Sequence, residues 1–499
     1  MTMRNSRSSR RKSFSGFFFT IVSTVFSAVA HGDPISAWVG TAINEHKPQY
    51  TDMAMQLWDW SELGYKETKS SRALQQQLKS AGFKISRSVA DIPTAFVASY
   101  GKGDPVIGVL AEFDALPGMS QVAQPKRKAK AEGAAGQACG HHLFGAGSTA
   151  AAITVAQWLK ENSKSGTIRL YGTPAEEGGA GKVYMARAGL FDDVDTVLHW
   201  HPGDRNVSGN GTTLANKSAK FRFKGIAAHA STAPEMGRSA LDGVEAMNSM
   251  VNQLREHVPS DTRIHYVITD GGQAPNIVPA FAEVYYYVRS GSAESVRSIW
   301  ERLEQAARGA AMGTGTQVEW EVIHGVHSIL PNLALSEKTH SFLNYFGGVE
   351  YTKKESVFAE AIQKTYTSKS NASLQDAATV LPYSKTIFAT SGSTDVGDIS
   401  WQVPTTGLMT ATWVPGTSAH TWQAVAAGGT SIGHKGMLLA SKVLARTAIE
   451  LMLSPDTIEQ AKIEFEERRG PNFEYVPLLG NRKPPLDYRA GMSTSQGGS

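Results

Sequence analysis

A single cysteine, Cys139, serves a chain of 499 residues. No internal disulfide can form, so cysteine pairing says nothing of the redox compartment. Internal repeats are absent, which argues against a solenoid. A basic surface is missing too, once the N-terminus is set apart. The formal charge of +4 comes from 49 Lys and Arg against 45 Asp and Glu. Residues 1–30 hold Arg4, Arg7, Arg10, Arg11 and Lys12 and no acid, which leaves 44 basic against 45 acidic residues, a net charge of −1. That balance gives no support to nucleic acid as a partner. One local run, "QPKRKAKAEG" from Gln124, reads by default as a solvated basic loop, with steering of an acidic substrate as its functional alternative.

The N-terminus has its own pattern. "MTMRNSRSSRRKS" is basic, "FSGFFFTIVSTVFSAVA" is apolar, and the triplet Ala28-Val29-Ala30 stands just before "HGDP". Basic, apolar, small-residue cleavage site is the order of a secretory signal. Serine, glycine and threonine interrupt the apolar run, which argues against a permanent span; an uncleaved anchor is the alternative. "SSRRKSF" also resembles a twin-arginine signal, with Phe14 one place later than the usual pattern. The expectation is an exported, periplasmic protein, free of the membrane once residues 1–30 are removed.

At this length two or more domains are expected. "VIGVLA" (Val106–Ala111), "TIRLYGTP" (Thr167–Pro174) and "VDTVLHWHP" (Val194–Pro202) read as buried strands. The alanine-rich "LFGAGSTAAAITVAQWLKEN" reads as a helix between the first two. Such alternation predicts an α/β layer with a largely parallel sheet, whose strand ends are where sites form. From Lys217 to about residue 325 the predicted order changes to β-α-β-β-α-β, that of a ferredoxin-like unit. The chain then rejoins the first domain. The expected division is therefore a discontinuous catalytic domain over 36–216 and 326–460, an inserted domain over 217–325, and a tail over 461–499 with a disordered end.

The chemistry-bearing residues gather in the strand-end loops. Cys139 and His141 are two apart in the glycine-rich "GQACGHHLFGAG", Glu176 and Glu177 are adjacent, His199 and His201 flank Trp200, and His420 lies in "GTSAHTWQ". Each alone is weak, because most such residues are solvated or structural. Together, one thiolate, several imidazoles and carboxylates form the mixed donor set that zinc or another transition ion takes. Two neighbouring glutamates can divide the work, one binding metal and the other acting as general base. Two ions sharing a nucleophile would make a hydrolase.

The motifs "AEFDALPG", "ACGHHLFG", "GTPAEEGG", "GIAAHASTAPEMGRSALD" and "GGQAPNIVP", in that order, resemble the dinuclear metallo-amidohydrolases and peptidases that include hippurate hydrolase and the auxin-conjugate hydrolases. The likeness spans roughly residues 45–455. It implies a zinc-peptidase-like three-layer α/β catalytic domain with an inserted ferredoxin-like α+β lid and dimerisation domain. It also implies two divalent metal ions, zinc or manganese, held by Cys139, His141, Glu177, one strand-end histidine and His420. For the strand-end ligand His201, just before Pro202, is favoured over His199. The resemblance makes Glu176 the general base, Asp114 the acid that orients a ligand, and His229 the lid histidine that reaches a partner's active site. Asn276 and Arg289 would hold the substrate carboxylate.

The implied activity is cleavage of the amide bond of an N-acyl amino acid such as an N-acyl-glutamate. A dipeptidase of the same family, or a chain that needs a homologous partner, is the alternative, and the expected assembly is a homodimer or such a heteromer. A cysteine hydrolase with Cys139 as nucleophile is a further rival, but it leaves Glu177 and His420 without a role. His142 and Gln137 depart from the family pattern at positions expected to line the site.

Overall fold

A computed structural model of the chain describes residues 33–367 and 371–490. The signal expected over residues 1–30 and the "STSQGGS" end both lie outside them. Among the described residues no helix is long and apolar enough to cross a membrane.

The larger sheet has seven strands. Its middle is four parallel strands, Gly166–Gly172, Val106–Ala111, Thr196–Gly203 and Thr405–Ala411. Phe96–Lys102 and Lys84–Arg87 extend one side antiparallel, and Val207–Ser208 closes the other. The parallel expectation thus holds for the centre and not for the edges. Val106–Ala111 is buried at every position, because a central strand covered on both faces needs apolar side chains throughout.

The helix His141–Glu161 packs against the closing helix Ser431–Leu453, where Ser441 Oγ donates to the Gly147 carbonyl at 2.9 Å. Both are buried along most of their length, which explains the alanine and glycine that let backbones approach. Trp200 is fully buried beside the first of them, and its indole N–H donates to the Phe144 carbonyl at 3.3 Å.

The inserted unit is a four-stranded antiparallel sheet in the order Gln317–Val326, Ala215–Lys224, Phe281–Ser290, Arg263–Asp270. Helices Ala240–Leu254 and Ala293–Thr314 pack on it over a separate core built on Phe221, Phe223, Tyr286 and Trp300. This is the ferredoxin-like order read from the sequence. Each helix starts where a serine accepts from a backbone N–H of the first turn, Ser239 from Asp242 and Ser292 from Ser295.

The stretch expected to be a tail from residue 461 differs. Helix Pro455–Arg469 runs through that boundary, and the chain beyond it lies along the protein with Leu478 and Leu479 buried. Arg482 donates to the carbonyls of Val322 and Ile323 on the inserted unit's strand. Proline and glycine there shape an irregular path, but leucine and tyrosine side chains give it apolar surface to bury.

Candidate metal centre

The parallel strands deliver their loops to one end of the sheet. Glu112 and Asp114 follow Val106–Ala111, Glu176 and Glu177 follow Gly166–Gly172, and His201 stands near the end of Thr196–Gly203. Cys139 and His141 sit at the start of the long helix. The helix is entered through Gly140 with φ +77°, and a Cβ there would lie 2.7 Å from Pro202 Cβ, so glycine is required. His420 comes from the loop after Thr405–Ala411, where its backbone N–H donates to the Ala138 carbonyl at 3.0 Å. Its φ of +60° is the left-handed region that a histidine seldom adopts. Ala175, just before the two glutamates, has φ +58° and is held by the buried Glu67 carboxylate, which accepts its N–H at 2.8 Å. Strained backbone of this kind persists where surrounding contacts fix it, and it clusters at functional sites.

These elements assemble two groups that share a thiol. Cys139, His141 and His201 form one; Cys139, Glu177 and His420 form the other, with the offered atoms of each within 4.8 Å of one another. Cys139 Sγ lies 3.5 Å from His201 Nε2, and His420 Nε2 lies 3.0 Å from Glu177 Oε1. The ring tautomers suit coordination. His201 Nδ1 is 2.7 Å from the Pro202 carbonyl, where it can only donate, and His141 Nδ1 donates to Asp114 Oδ1 at 2.8 Å. In the neutral rings that a metal requires, both Nε2 atoms are lone-pair donors turned into the cluster. Asp114 also accepts the Glu177 N–H at 3.0 Å through its other oxygen, so one carboxylate fixes two members of the set.

Charge in the site is unbalanced. Glu112, Glu176 and Asp395 surround one buried ammonium, Lys182, while Asp114 and Glu177 flank His141 and His420. Burial, then the charges of Glu112, Glu177 and Asp395, push the Glu176 carboxyl well above the ordinary carboxylate range. Burial and the Glu177 charge likewise raise the Cys139 thiol. Burial opposes ionisation of Glu177 as well, but the His420 hydrogen bond and the His141 and His420 charges prevail and leave it lowered. Glu112 Oε2 and His141 Nε2 are buried and meet only each other, at 3.0 Å, while Glu177 Oε1 meets only His420. Buried acceptors, excess negative charge and a mixed S, N and O donor set all fit divalent cations.

The remaining expected residues fall elsewhere. His199 is on the same strand face as His201 but belongs to neither group, and burial pushes it down to about 4. His229 and Asn276 are exposed on the inserted unit, where the Ala230 N–H donates to the Asn276 carbonyl at 3.0 Å. Among the described residues no hydrogen bond or ion pair joins them to the metal-capable cluster. Arg289 lines a separate cavity of about 760 Å³ with Arg263, His265 and Tyr287.

His142 and Gln137 correct an expectation, since His142 does not turn towards the cluster. Its Nε2 lies 3.2 Å from the Gly428 carbonyl, and its backbone N–H donates to Gln137 Oε1 at 3.1 Å. Burial brings its pKa down to about 3, so the ring is neutral. One residue along a helix turns the side chain by about 100°, and His142 braces the helix start from behind.

The sequence reading missed Glu67, Glu112, Lys182, Asp395 and Arg489. Arg489 lies in the supposed tail, yet it donates to the carbonyls of Ala115 (3.0 Å) and Glu177, and Tyr488 Oη donates to the same Glu177 carbonyl at 3.0 Å. Arg489 also lines a cavity of about 980 Å³ with Trp58, Trp60 and Lys130. Arg489→Ala is expected to weaken metal uptake about 10-fold by freeing the Glu177 loop, read by titrating ions into metal-free protein; unchanged affinity would show that the contact is only a packing one.

An α/β sheet with this cluster at its strand ends and a ferredoxin-like insertion defines a class. Residues 215–314 match the model of a peptidase dimerisation domain, and the chain belongs to the M20 family of metallopeptidases and amidohydrolases, enzymes that hydrolyse C–N amide bonds. It is 41% identical to a p-aminobenzoyl-glutamate hydrolase subunit of Escherichia coli (strain K12), over 90% of this chain and 98% of that one. The Xaa-Arg dipeptidase of Mus musculus is 27% identical over 85% of this chain and 90% of its own length. A Bacillus subtilis dinuclear metal binding peptidase of the M20 family shares the fold, with a TM-score of 0.56 and 19% identity over 82% of this chain and 99% of that one.

Proposed function

We propose that the protein is a dinuclear metal-dependent amidohydrolase that cleaves the amide bond of an N-acyl amino acid, with an N-acyl-glutamate such as aminobenzoyl-glutamate as the first substrate to try. The observation that carries this reading is the pair of metal-capable groups sharing Cys139 at the strand ends. Cys139, His141 and His201 would hold one ion, and Cys139, Glu177 and His420 the other. Divalent ions there supply Lewis acidity towards the amide carbonyl and make water more acidic.

The chain's own groups do the rest. The Glu176 side chain forms no hydrogen bond among the described residues, and its raised proton affinity suits it to take the proton of the attacking water and return it to the leaving nitrogen. Asp114 keeps His141 and Glu177 in place. His229 of a second copy would aim an imidazole at the developing oxyanion, while Asn276 and Arg289 would receive the substrate carboxylate.

Dimer formation is supported by the edge strand Arg263–Asp270, which ends the smaller sheet and exposes Tyr266, Val267 and Ile268. The likeness to a protein that is itself named as one part of a hydrolase keeps a heteromer with a homologous chain as the second reading.

A cysteine nucleophile fits poorly. Such a thiol needs a positive neighbourhood that lowers its pKa, whereas burial and Glu177 raise that of Cys139. Treatment of the purified protein with a chelator is expected to abolish turnover of aminobenzoyl-glutamate, and zinc or manganese to restore it. Full activity after complete metal removal would defeat the metal reading, and silence until a homologous chain is added would favour the heteromer.

A further inference from the structure

Glu112 has no part in the mechanism above, yet it is fixed from one side and open on the other. Its Oε1 accepts from Lys182 Nζ at 2.7 Å. The same ammonium reaches Asp395 Oδ1 at 2.7 Å, and the Lys182 backbone N–H donates to Asp395 Oδ2 at 2.9 Å. All three side chains are at most 1% exposed. Three separate segments of the chain thus meet to hold one carboxylate. Its other oxygen, Oε2, lies 3.0 Å from His141 Nε2. With His141 Nδ1 donating to Asp114, Nε2 either carries a proton towards Glu112, as in the ion pair seen here, or presents a lone pair to an ion that replaces that proton. A buried carboxylate oxygen and a buried imidazole nitrogen thus meet at contact distance, an arrangement that a low-dielectric interior holds only with a cation at hand, a proton or a metal ion. Glu112, His141 and Glu176 moreover form a third metal-capable group, their offered atoms all within 4.8 Å of one another.

We propose that Glu112 is an additional metal ligand, contributing Oε2 to the ion held by His141, and that Lys182 and Asp395 are its positioning residues. The inference rests on the dinuclear reading above. Lys182 occupies Oε1 and leaves a single oxygen for the ion. A carboxylate added to thiolate and imidazole donors shifts the site's preference towards harder ions such as manganese. Sequence alone hides this, because "AEFDALP" places Glu112 at the end of a buried strand, far along the chain from Lys182 and Asp395.

The test uses full-length protein stripped of metal, titrated with Mn²⁺ and separately with Zn²⁺, with uptake followed by calorimetry and Mn²⁺ also by electron paramagnetic resonance. Wild type is expected to take two ions per chain. Glu112→Gln is expected to weaken one of the two Mn²⁺ events by about 10- to 100-fold, and the matching Zn²⁺ event by less, since sulfur and nitrogen donors remain. Circular dichroism of the metal-free variant checks that it is folded. If it is not, Glu112→Asp, which keeps the charge beside Lys182 and withdraws the oxygen by one methylene, is read in the same way. Two Mn²⁺ events at wild-type affinity, or tighter ones, would overturn the proposal and leave Glu112 a counter-ion of Lys182. Wild-type protein that takes up no ion would overturn both this inference and the metal reading beneath it.

Discussion

Glu176→Gln is expected to lower kcat by about 10³-fold while the protein keeps its metal, a loss typical of removing a general base and equivalent to about 4 kcal/mol of transition-state stabilisation. The substitution preserves shape and removes only the ability to carry a proton. Glu176 makes no side-chain hydrogen bond among the described residues, so the fold loses no partner. KM is expected to change little, because the base acts on water rather than on the bound substrate. A second readout separates chemistry from structure. Burial and the neighbouring carboxylates raise the Glu176 pKa in the folded protein, so folding disfavours its charge. The stability of the metal-free protein therefore falls as pH rises from the ordinary carboxylate range through that raised value. Glutamine removes this penalty at neutral pH, and the metal-free variant is expected to melt no lower than wild type. Turnover near wild type with metal bound, measured on aminobenzoyl-glutamate beside elemental analysis, would remove Glu176 from its role.

Much of this architecture could be read beforehand because its signals are local. The 215–326 unit announces itself by switching periodicity, and the alanine-rich stretch read as a helix forms most of His141–Glu161. Cys139, His141, Glu177 and His420 were legible for a different reason, since the family resemblance marks them, whereas His201 was only favoured over His199; the structure brings all five together. What stayed hidden depends on pairing across the chain. Lys182 lies in "GGAGKVYM" and resembles any exposed helix-start lysine until it is seen buried between Glu112 and Asp395. Arg489 lies in a stretch of prolines and glycines that composition assigns to a tail, yet it reaches the carbonyl of a proposed ligand. His142 illustrates the opposite error. Its place next to His141 put it in the site on paper, whereas the turn of the helix sends it to the Gly428 carbonyl.

Cys139 gives the second large expected effect, because it is common to both groups proposed to hold the two ions. Cys139→Ala is expected to weaken uptake of both ions by more than about 100-fold each, beyond the usual loss from outer-shell changes, and turnover falls with it. Its fold should survive. The side chain is small, and losing one buried sulfur of methylene-like size costs about 1 kcal/mol. Metal-free wild type and variant are thus expected to melt within a few degrees of each other, while added metal raises the melting temperature of wild type alone, since an ion that binds only the folded state stabilises it by mass action. The comparison also separates the two chemistries open to a thiol. A cysteine nucleophile predicts an inactive variant that binds metal as wild type does; a shared ligand predicts that activity, ion uptake and the metal-dependent melting shift disappear together.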